Sequence, residues 1–524
     1  MKEVRKKLVI IGAGPAGLTA AYEMLKNSKE YEVTILEAED TVGGISKTIT
    51  FDGYKVDTGI HRFFTKNDKI KQIWEELLPL QNKPAYDEIK LNRTRNYQLQ
   101  GSDPEKEDKS MLIKDRVTRI YYGKKFYDYP VSLNFVTLKN LGFVNIIKVG
   151  FSYLKACLIK KEETSLENFF INRFGKVLYS MFFEDYTKKV WGRHPRDISA
   201  DWGEQRVKGI SIFEVLKDGI YKLLGKKNAK NTETSLIEQF VYPKLGAGQI
   251  WEEMAKKIQD LGGIILLNAK VKKLMVKENK IVQLQYERKG QNIIIDVDKC
   301  ISSMPLKDLV AGIENEKVPE EIKVIANGLP YRNFMSVCMV VDKLNLKNNT
   351  DIKTLGNIVP DDWIYMQEPE VKMGRLQIFN NWSPYLFKNK EEMENKVLIG
   401  LEYFCSEDDQ YWKMSDENFI EFAKKEAEKM GIIDKNNIEK AIRIKIPKAY
   451  PAYFDTYVKI DELIEYVNHF ENLYCIGRNG QHRYNNMDHS MLTAIETVKN
   501  IIEGETSKKN IWNINTEKKY HEKN

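Results

Sequence analysis

Hydrophobic positions near the N-terminus follow two rhythms. Residues 8–11 (LVII) form a continuous apolar run, short enough for a strand buried on both faces. Residues 16–27 place apolar side chains at helical spacing, and residues 32–37 (EVTILE) read as a second strand. Connections this short predict a βαβ unit. Residues 49–57 add a β segment, and residues 89–126 mix short strand-like runs with a polar loop at 101–109. From 132 to 190 the rhythm turns helical with few breakers. A further helix is expected at 206–224 and a polar linker at 226–234. The α/β alternation then returns: a helix at 250–261, a Gly262-Gly263 turn, and strands at 264–267 and 300–304. Strand-like runs dominate from 331 to about 447. A last buried strand at 473–476 and a last helix at 491–502 precede a polar tail from 507, expected to fray.

Composition narrows the function classes. The chain has 524 residues, 42% hydrophobic, which suits two or three domains with large cores. Its net charge of +7 is spread along the chain, which argues against a nucleic-acid surface and leaves room for an anionic small molecule. The five cysteines are scattered with no CxxC pair, so neither a dithiol nor a cysteine metal site is expected, and a cytoplasmic location is. No run approaches the roughly 18 apolar residues of a membrane span. The basic-then-apolar start resembles a signal peptide, but the glycines behind it fit a buried strand entering a phosphate turn better.

Those glycines carry the first chemistry. Gly12, Gly14 and Gly17 stand in G-x-G-x-x-G spacing between the first strand and the first helix, with Pro15 and Ala16 opening that helix. Gly12 permits the tight turn, Gly14 lets a pyrophosphate approach the backbone, and Gly17 lets helix and strand pack closely. Glu37 ends the second strand 20 residues beyond Gly17, where an acid can accept ribose hydroxyls and repels a 2′-phosphate. The expectation is a mixed α/β (α+β) chain with a discontinuous, Rossmann-like dinucleotide-binding domain (1–88, 235–310 and 469–505). A β-rich substrate domain (89–130 and 311–468), an inserted helical domain (131–234) and a polar tail (506–524) complete it.

The run T-V-G-G-I-S-K-T, with Gly43, Gly44, Ile45, Ser46 and Lys47, resembles the second glycine motif of the amine-oxidase-like flavoproteins, in which FAD phosphates lie along this loop. That family usually carries arginine where Lys47 stands. Further patches resemble UDP-galactopyranose mutases and their longer relatives: Gly59 to Thr65 around His61; Tyr122 to Phe126 with Pro130; Leu178 to Gly192; Arg375 in G-R-L-Q-I-F; Tyr450-Pro451; and Gly477-Arg478 with His482 to Asp488. This resemblance implies FAD contacts from Val271, Arg478 and Met487. It places His61 beside the flavin, Arg375 on a substrate diphosphate, and Tyr186, Trp191, Tyr450, Tyr484 and Asn486 at the substrate. His61, Arg375 and Tyr484 would be catalytic. The implied activity interconverts pyranose and furanose forms of a nucleotide sugar for cell-surface polysaccharide synthesis. The reduced flavin N5 would be the nucleophile at the anomeric carbon, and an external flavin reductant or NAD(P)H would supply electrons. Asn486 stands where simple bacterial mutases usually carry aspartate, and the helical insertion at 134–161 is extra. A true oxidoreductase of the amine-oxidase or protoporphyrinogen-oxidase type is the alternative.

Several of these residues have plainer readings. His61 could satisfy backbone groups, Arg375 could form an ordinary ion pair, and Tyr186 and Trp191 could be core. Asp488 could be the N-cap of the last helix, expected to start near Ser490. The apolar stretch 133–158, with Lys139, Lys148 and Lys155, reads first as a buried helix pair and second as a peripheral membrane contact. Self-association is also open.

Overall fold

The computed structural model describes residues 5–129, 131, 135–200 and 239–514. The helix expected at 206–224, the linker at 226–234 and Pro130 lie outside the described residues. A five-stranded parallel sheet forms the centre. Its strand order is Leu473–Cys475, Lys299–Ser302, Lys6–Ile11, Tyr31–Leu36, Ile264–Leu266, so segments hundreds of residues apart become neighbours. The inner strand is apolar on both faces because both are covered. Leu8 and Ile10 join one core and Val9 and Ile11 another, each position contributing about 1.5–3 kcal/mol of burial. Helices Pro15–Asn27, Gln249–Asp260 and Met487–Glu503 pack together on one side of this sheet.

A seven-stranded sheet holds the substrate side. Its order is Ile438–Pro451, Tyr331–Val341, Val397–Cys405, Arg375–Ile378, Trp363–Met366, Thr118–Tyr122, Lys125–Asp128. One of its faces is sealed by Asp416–Lys429, a helix that the strand-dominated reading of this region missed; Phe419, Ala423 and Ala427 of that helix are fully buried. A four-stranded sheet of Gln291–Asp296, Lys280–Arg288, Lys270–Lys277 and Ile313–Glu314 packs beneath the parallel sheet.

The helical stretch is a series: Phe135–Leu141, Phe143–Leu158, Leu166–Tyr179, a π-helical turn at Ser180–Glu184, and Asp185–Trp191. The buried-pair reading of 133–158 holds for one face only. Val149 and Ala156 are buried, while Phe143, Val144, Ile147, Phe151, Leu154 and Leu158 are exposed. The expected fraying does not begin at 507. Lys509–Trp512 forms a helical turn, with Ile511 and Trp512 buried and the Trp512 indole donating to Asn468 Oδ1 at 3.0 Å. A tail of polar average composition is thus held by two apolar side chains.

Candidate active site

A cavity of about 1430 Å³ runs from the C-terminal edge of the parallel sheet to the inner face of the seven-stranded sheet. Ligands of open α/β sheets bind at that edge, and a typical small-molecule pocket spans about 300–1,000 Å³. The space therefore accommodates a dinucleotide with a substrate beyond it.

At the sheet edge, Gly12 has φ +97° and donates its N–H to Leu36 O at 2.8 Å, turning the chain out of the first strand. A Cβ on Gly17 would lie 1.9 Å from Gly12 O, so only glycine lets the helix start against the turn. Pro15 begins the helix and no acid stands in its first turn. Its leading N–H groups and partial positive charge favour a phosphate by about 0.3–1 kcal/mol, more when partly buried. The Gly43 N–H donates to Ala13 O at 2.9 Å, closing the second glycine loop over the first. The Glu37 carboxylate accepts the Ala13 N–H at 2.6 Å and the Glu39 N–H at 2.9 Å. Burial raises its pKa above the ordinary range while those two N–H groups pull it down, and each oxygen keeps lone-pair capacity for a ribose hydroxyl.

Gly12, Gly14, Pro15, Ala16, Glu37, Gly44, Ile45, Ser46, Val271, Arg478 and Met487 all line the cavity, and Gly17 lies directly behind the turn. The lining atoms that are buried with no hydrogen-bond partner among the described residues include Arg62 Nη1 and Asn479 Oδ1. These are features of a site shaped for a polar ligand. The Lys47 ammonium is paired with Glu39, so its charge is already partly compensated.

Beyond the glycine loops lies a cationic and aromatic chamber. Strand register puts Tyr365 opposite Arg375 and Arg375 opposite Glu402, so the three share one sheet face. Arg375 donates Nε to Glu402 and Nη2 to the Tyr450 hydroxyl at 2.9 Å, and Glu402 also accepts from Gln377 Nε2 at 2.5 Å. Burial alone would favour a neutral guanidine, but Glu402 overrides it and holds Arg375 charged. The ion-pair reading of Arg375 and its place in the cavity wall are therefore both true. Tyr450 stacks on Tyr484 with centroids 5.6 Å apart, and the Arg478 guanidinium sits 4.2 Å from the Tyr484 ring. Arg478 is oriented by the carbonyls of Ala449 and Asn485, each at 2.9 Å. Burial pushes the His61 imidazole down to about 4, and Arg478 and Arg375 push the same way, so His61 is neutral at pH 7.

His61, Arg375, Tyr450, Tyr484 and Asn486 all reach the cavity. Tyr186 and Trp191 stand one layer back. Tyr186 packs edge-on against Tyr365 at 5.3 Å, and Trp191, itself buried, packs against Tyr484 at 6.4 Å. The last helix starts at Met487, three residues before the expected position. Asn486 is its N-cap residue, not Asp488, which falls in the first turn.

Sequence reasoning passed over Phe334, Trp363 and Tyr365, which line the chamber, and the role of Arg62, whose guanidinium lies 4.8 Å from the Trp363 ring. Lys189 was also passed over. Its ammonium donates to the carbonyls of Met366, Glu368 and Met373 at 3.0, 2.6 and 3.1 Å, and burial pushes it down to about 8. It pins the helix bearing Tyr186 to the strand bearing Tyr365. Arg62 could have been found from its place beside His61, but nothing in the sequence announces the others.

Comparison with known proteins places this site in context. Over 98% of its length the chain superposes on a reduced UDP-galactopyranose mutase, covering 99% of that structure at a TM-score of 0.74 and 18% identity, which establishes a shared fold. The curated relatives point elsewhere. Coproporphyrinogen III oxidase of Bacillus subtilis is 34% identical over 102 residues, 18% of this chain and 22% of that protein. All-trans-retinol 13,14-reductase of Danio rerio is 24% identical over 318 residues, 59% of this chain and 47% of that protein. The chain thus spans between about a fifth and a half of these relatives. The model of flavin containing amine oxidoreductases matches residues 15–443, most of the chain, and the chain belongs to that FAD-dependent family.

Proposed function

We propose that this flavoenzyme is a mutase interconverting the pyranose and furanose forms of a nucleotide sugar, with FAD working in its reduced state. One observation carries the reading: two guanidiniums, Arg375 and Arg478, converge on the stacked Tyr450–Tyr484 pair in the same cavity as the dinucleotide turn. Guanidinium forks suit a diphosphate, and aromatic faces suit a base or a sugar ring. Reduced FAD, when bound through the glycine loops, Glu37, Val271, Arg478 and Met487, supplies the nucleophile for the anomeric carbon. The protein's share is positional. Arg375 grips the substrate diphosphate and stabilises its charge as it departs and returns, while Arg478 holds the FAD side of the chamber. Tyr484 and Asn486 flank the sugar, and Tyr186 and Trp191 hold Tyr365 and Tyr484 in place. Neutral His61 offers a hydrogen bond without adding a charge. An external reductant or NAD(P)H keeps the flavin reduced.

A second reading, an oxidoreductase acting on an apolar substrate, is favoured by the oxidase and reductase names of the curated relatives and by the Phe334, Trp363 and Tyr365 wall. Anaerobic incubation of the dithionite-reduced holoenzyme with UDP-galactopyranose, followed by chromatography of the ring isomers, separates the two. The mutase reading expects furanose product with no net flavin oxidation. Absence of both UDP binding and isomerisation there, with peroxide formed when the oxidised holoenzyme is incubated in air with an apolar substrate, assigns the chain to the second reading.

A further inference from the structure

We propose that the helix Phe143–Leu158 is an interfacial anchor that seats this protein on an anionic phospholipid surface. The helix has two faces of opposite character. Its inner face packs on helix Leu166–Tyr179 through Val149 and Ala156, and the Ser152 hydroxyl accepts the Val177 N–H at 3.1 Å. Its outer face is apolar: Phe143, Ile147, Phe151, Leu154 and Leu158 follow one another at i+4, i+4, i+3 and i+4, a single stripe. Phe143 is 77% exposed, Phe151 71% and Leu158 84%, values that rule out burial within the described protein. Isolated exposed apolar side chains need no explanation, but a contiguous stripe on one helix does.

Charge identifies the occupant. Lys139, Lys148 and Lys155 lie along the same stretch of chain, and residues 129–161 contain no Asp or Glu. An apolar stripe flanked by lysines with no acid is the pattern of a helix lying in the headgroup region of an anionic bilayer. The same charge disfavours the other occupants. A second copy would bring like charge against like. Residues 201–238 of this chain carry seven Lys or Arg against six Asp or Glu, so they offer no net negative charge to complement the lysines. The inference is independent of the substrate proposed for the cavity.

Cys157 gives a probe. It is exposed, the other four cysteines are buried, and it adjoins Leu158 on this helix. Full-length, flavin-loaded protein labelled there with a polarity-sensitive fluorophore is mixed with vesicles of phosphatidylcholine alone or of phosphatidylcholine with phosphatidylglycerol. The expected result is a blue shift and co-flotation with the anionic vesicles only. Lys148→Gln with Lys155→Gln should weaken binding about thirtyfold, from about fivefold per lysine. Phe143→Ser, Phe151→Ser and Leu158→Ser together should abolish it, with flavin content and thermal midpoint unchanged. The proposal is overturned if no vesicle binds or if these variants bind as the parent does. It is overturned in favour of a second copy if the shift follows protein concentration without lipid and sedimentation shows a dimer. If vesicles bind only after deletion of residues 201–238, the face belongs to that segment instead.

Discussion

Arg375 is held by a buried carboxylate and also faces the cavity, and a double-mutant cycle separates these two roles. Glu402 is completely buried and keeps two donors, Arg375 Nε and Gln377 Nε2. Arg375→Met removes the charged donor and leaves the carboxylate with a neutral amide. Stranding one half of a buried pair costs about 3–5 kcal/mol. Adding Glu402→Leu removes the stranded charge, and replacing a whole buried pair with apolar side chains is often neutral or stabilising. Stability of the double variant is therefore expected to return to within about 1 kcal/mol of the parent, a coupling of about 2–4 kcal/mol. Nucleotide binding should not recover with it. A charge-assisted hydrogen bond to phosphate is worth about 1.5–3 kcal/mol, so UDP should bind about ten- to 150-fold more weakly to both variants. Urea midpoints of the flavin-loaded protein report the first quantity and titration calorimetry with UDP the second. If the double variant is as unstable as the single, the ion pair is not the unit described. If it binds UDP as tightly as the parent, Arg375 is no diphosphate ligand and the mutase reading loses its main support.

Two further outcomes follow from the geometry. Gly17→Ala places a carbon 1.9 Å from Gly12 O, so the phosphate turn must open. Overpacking of this kind costs about 1–3 kcal/mol, and purified protein should show a markedly reduced flavin-to-protein absorbance ratio; a normal ratio would show that the turn does not hold the dinucleotide. His482 is fully buried and burial pushes it down to about 4, against a carbonyl bond from Ala452 that pulls it up. Its folded value lies below the unfolded value of about 6.5, so its contribution is intact above about pH 6.5 and lost as pH falls toward 4. By about pH 4 the loss is about 3 kcal/mol at 1.36 kcal/mol per unit. His482→Asn, tolerated at φ +48°, should remove that part of the acid sensitivity. Unfolding midpoints from pH 7 to pH 4 test it, and an unchanged acid slope in the variant would refute it.

The dinucleotide half of the molecule was legible because its information is local. The glycines, the helix they open and Glu37 lie within 26 consecutive residues, and each is dictated by the geometry of one turn. Hydrophobic period likewise identified the parallel strands, because side chains buried on both faces leave a continuous apolar run. The helix Asp416–Lys429 escaped notice because its mean hydropathy is low and only one face is buried.

The chamber was not legible in this way. Family likeness pointed to Arg375, Tyr450 and Tyr484, but not to what surrounds them. The contact of Arg375 with Glu402 depends on the register of two antiparallel strands, and that of Lys189 with three carbonyls depends on how a helix docks across a sheet. Sequence period fixes which face of an element is apolar, but it is silent on which residues of distant strands stand opposite one another. Whether an apolar face finds a partner is also a tertiary matter. The 143–158 helix shows the same pattern in sequence as a buried helix, and only its packing reveals that one side is left uncovered. Local geometry could therefore be read from the chain itself, while register, docking and exposure, which depend on long-range contacts, were decided by the fold.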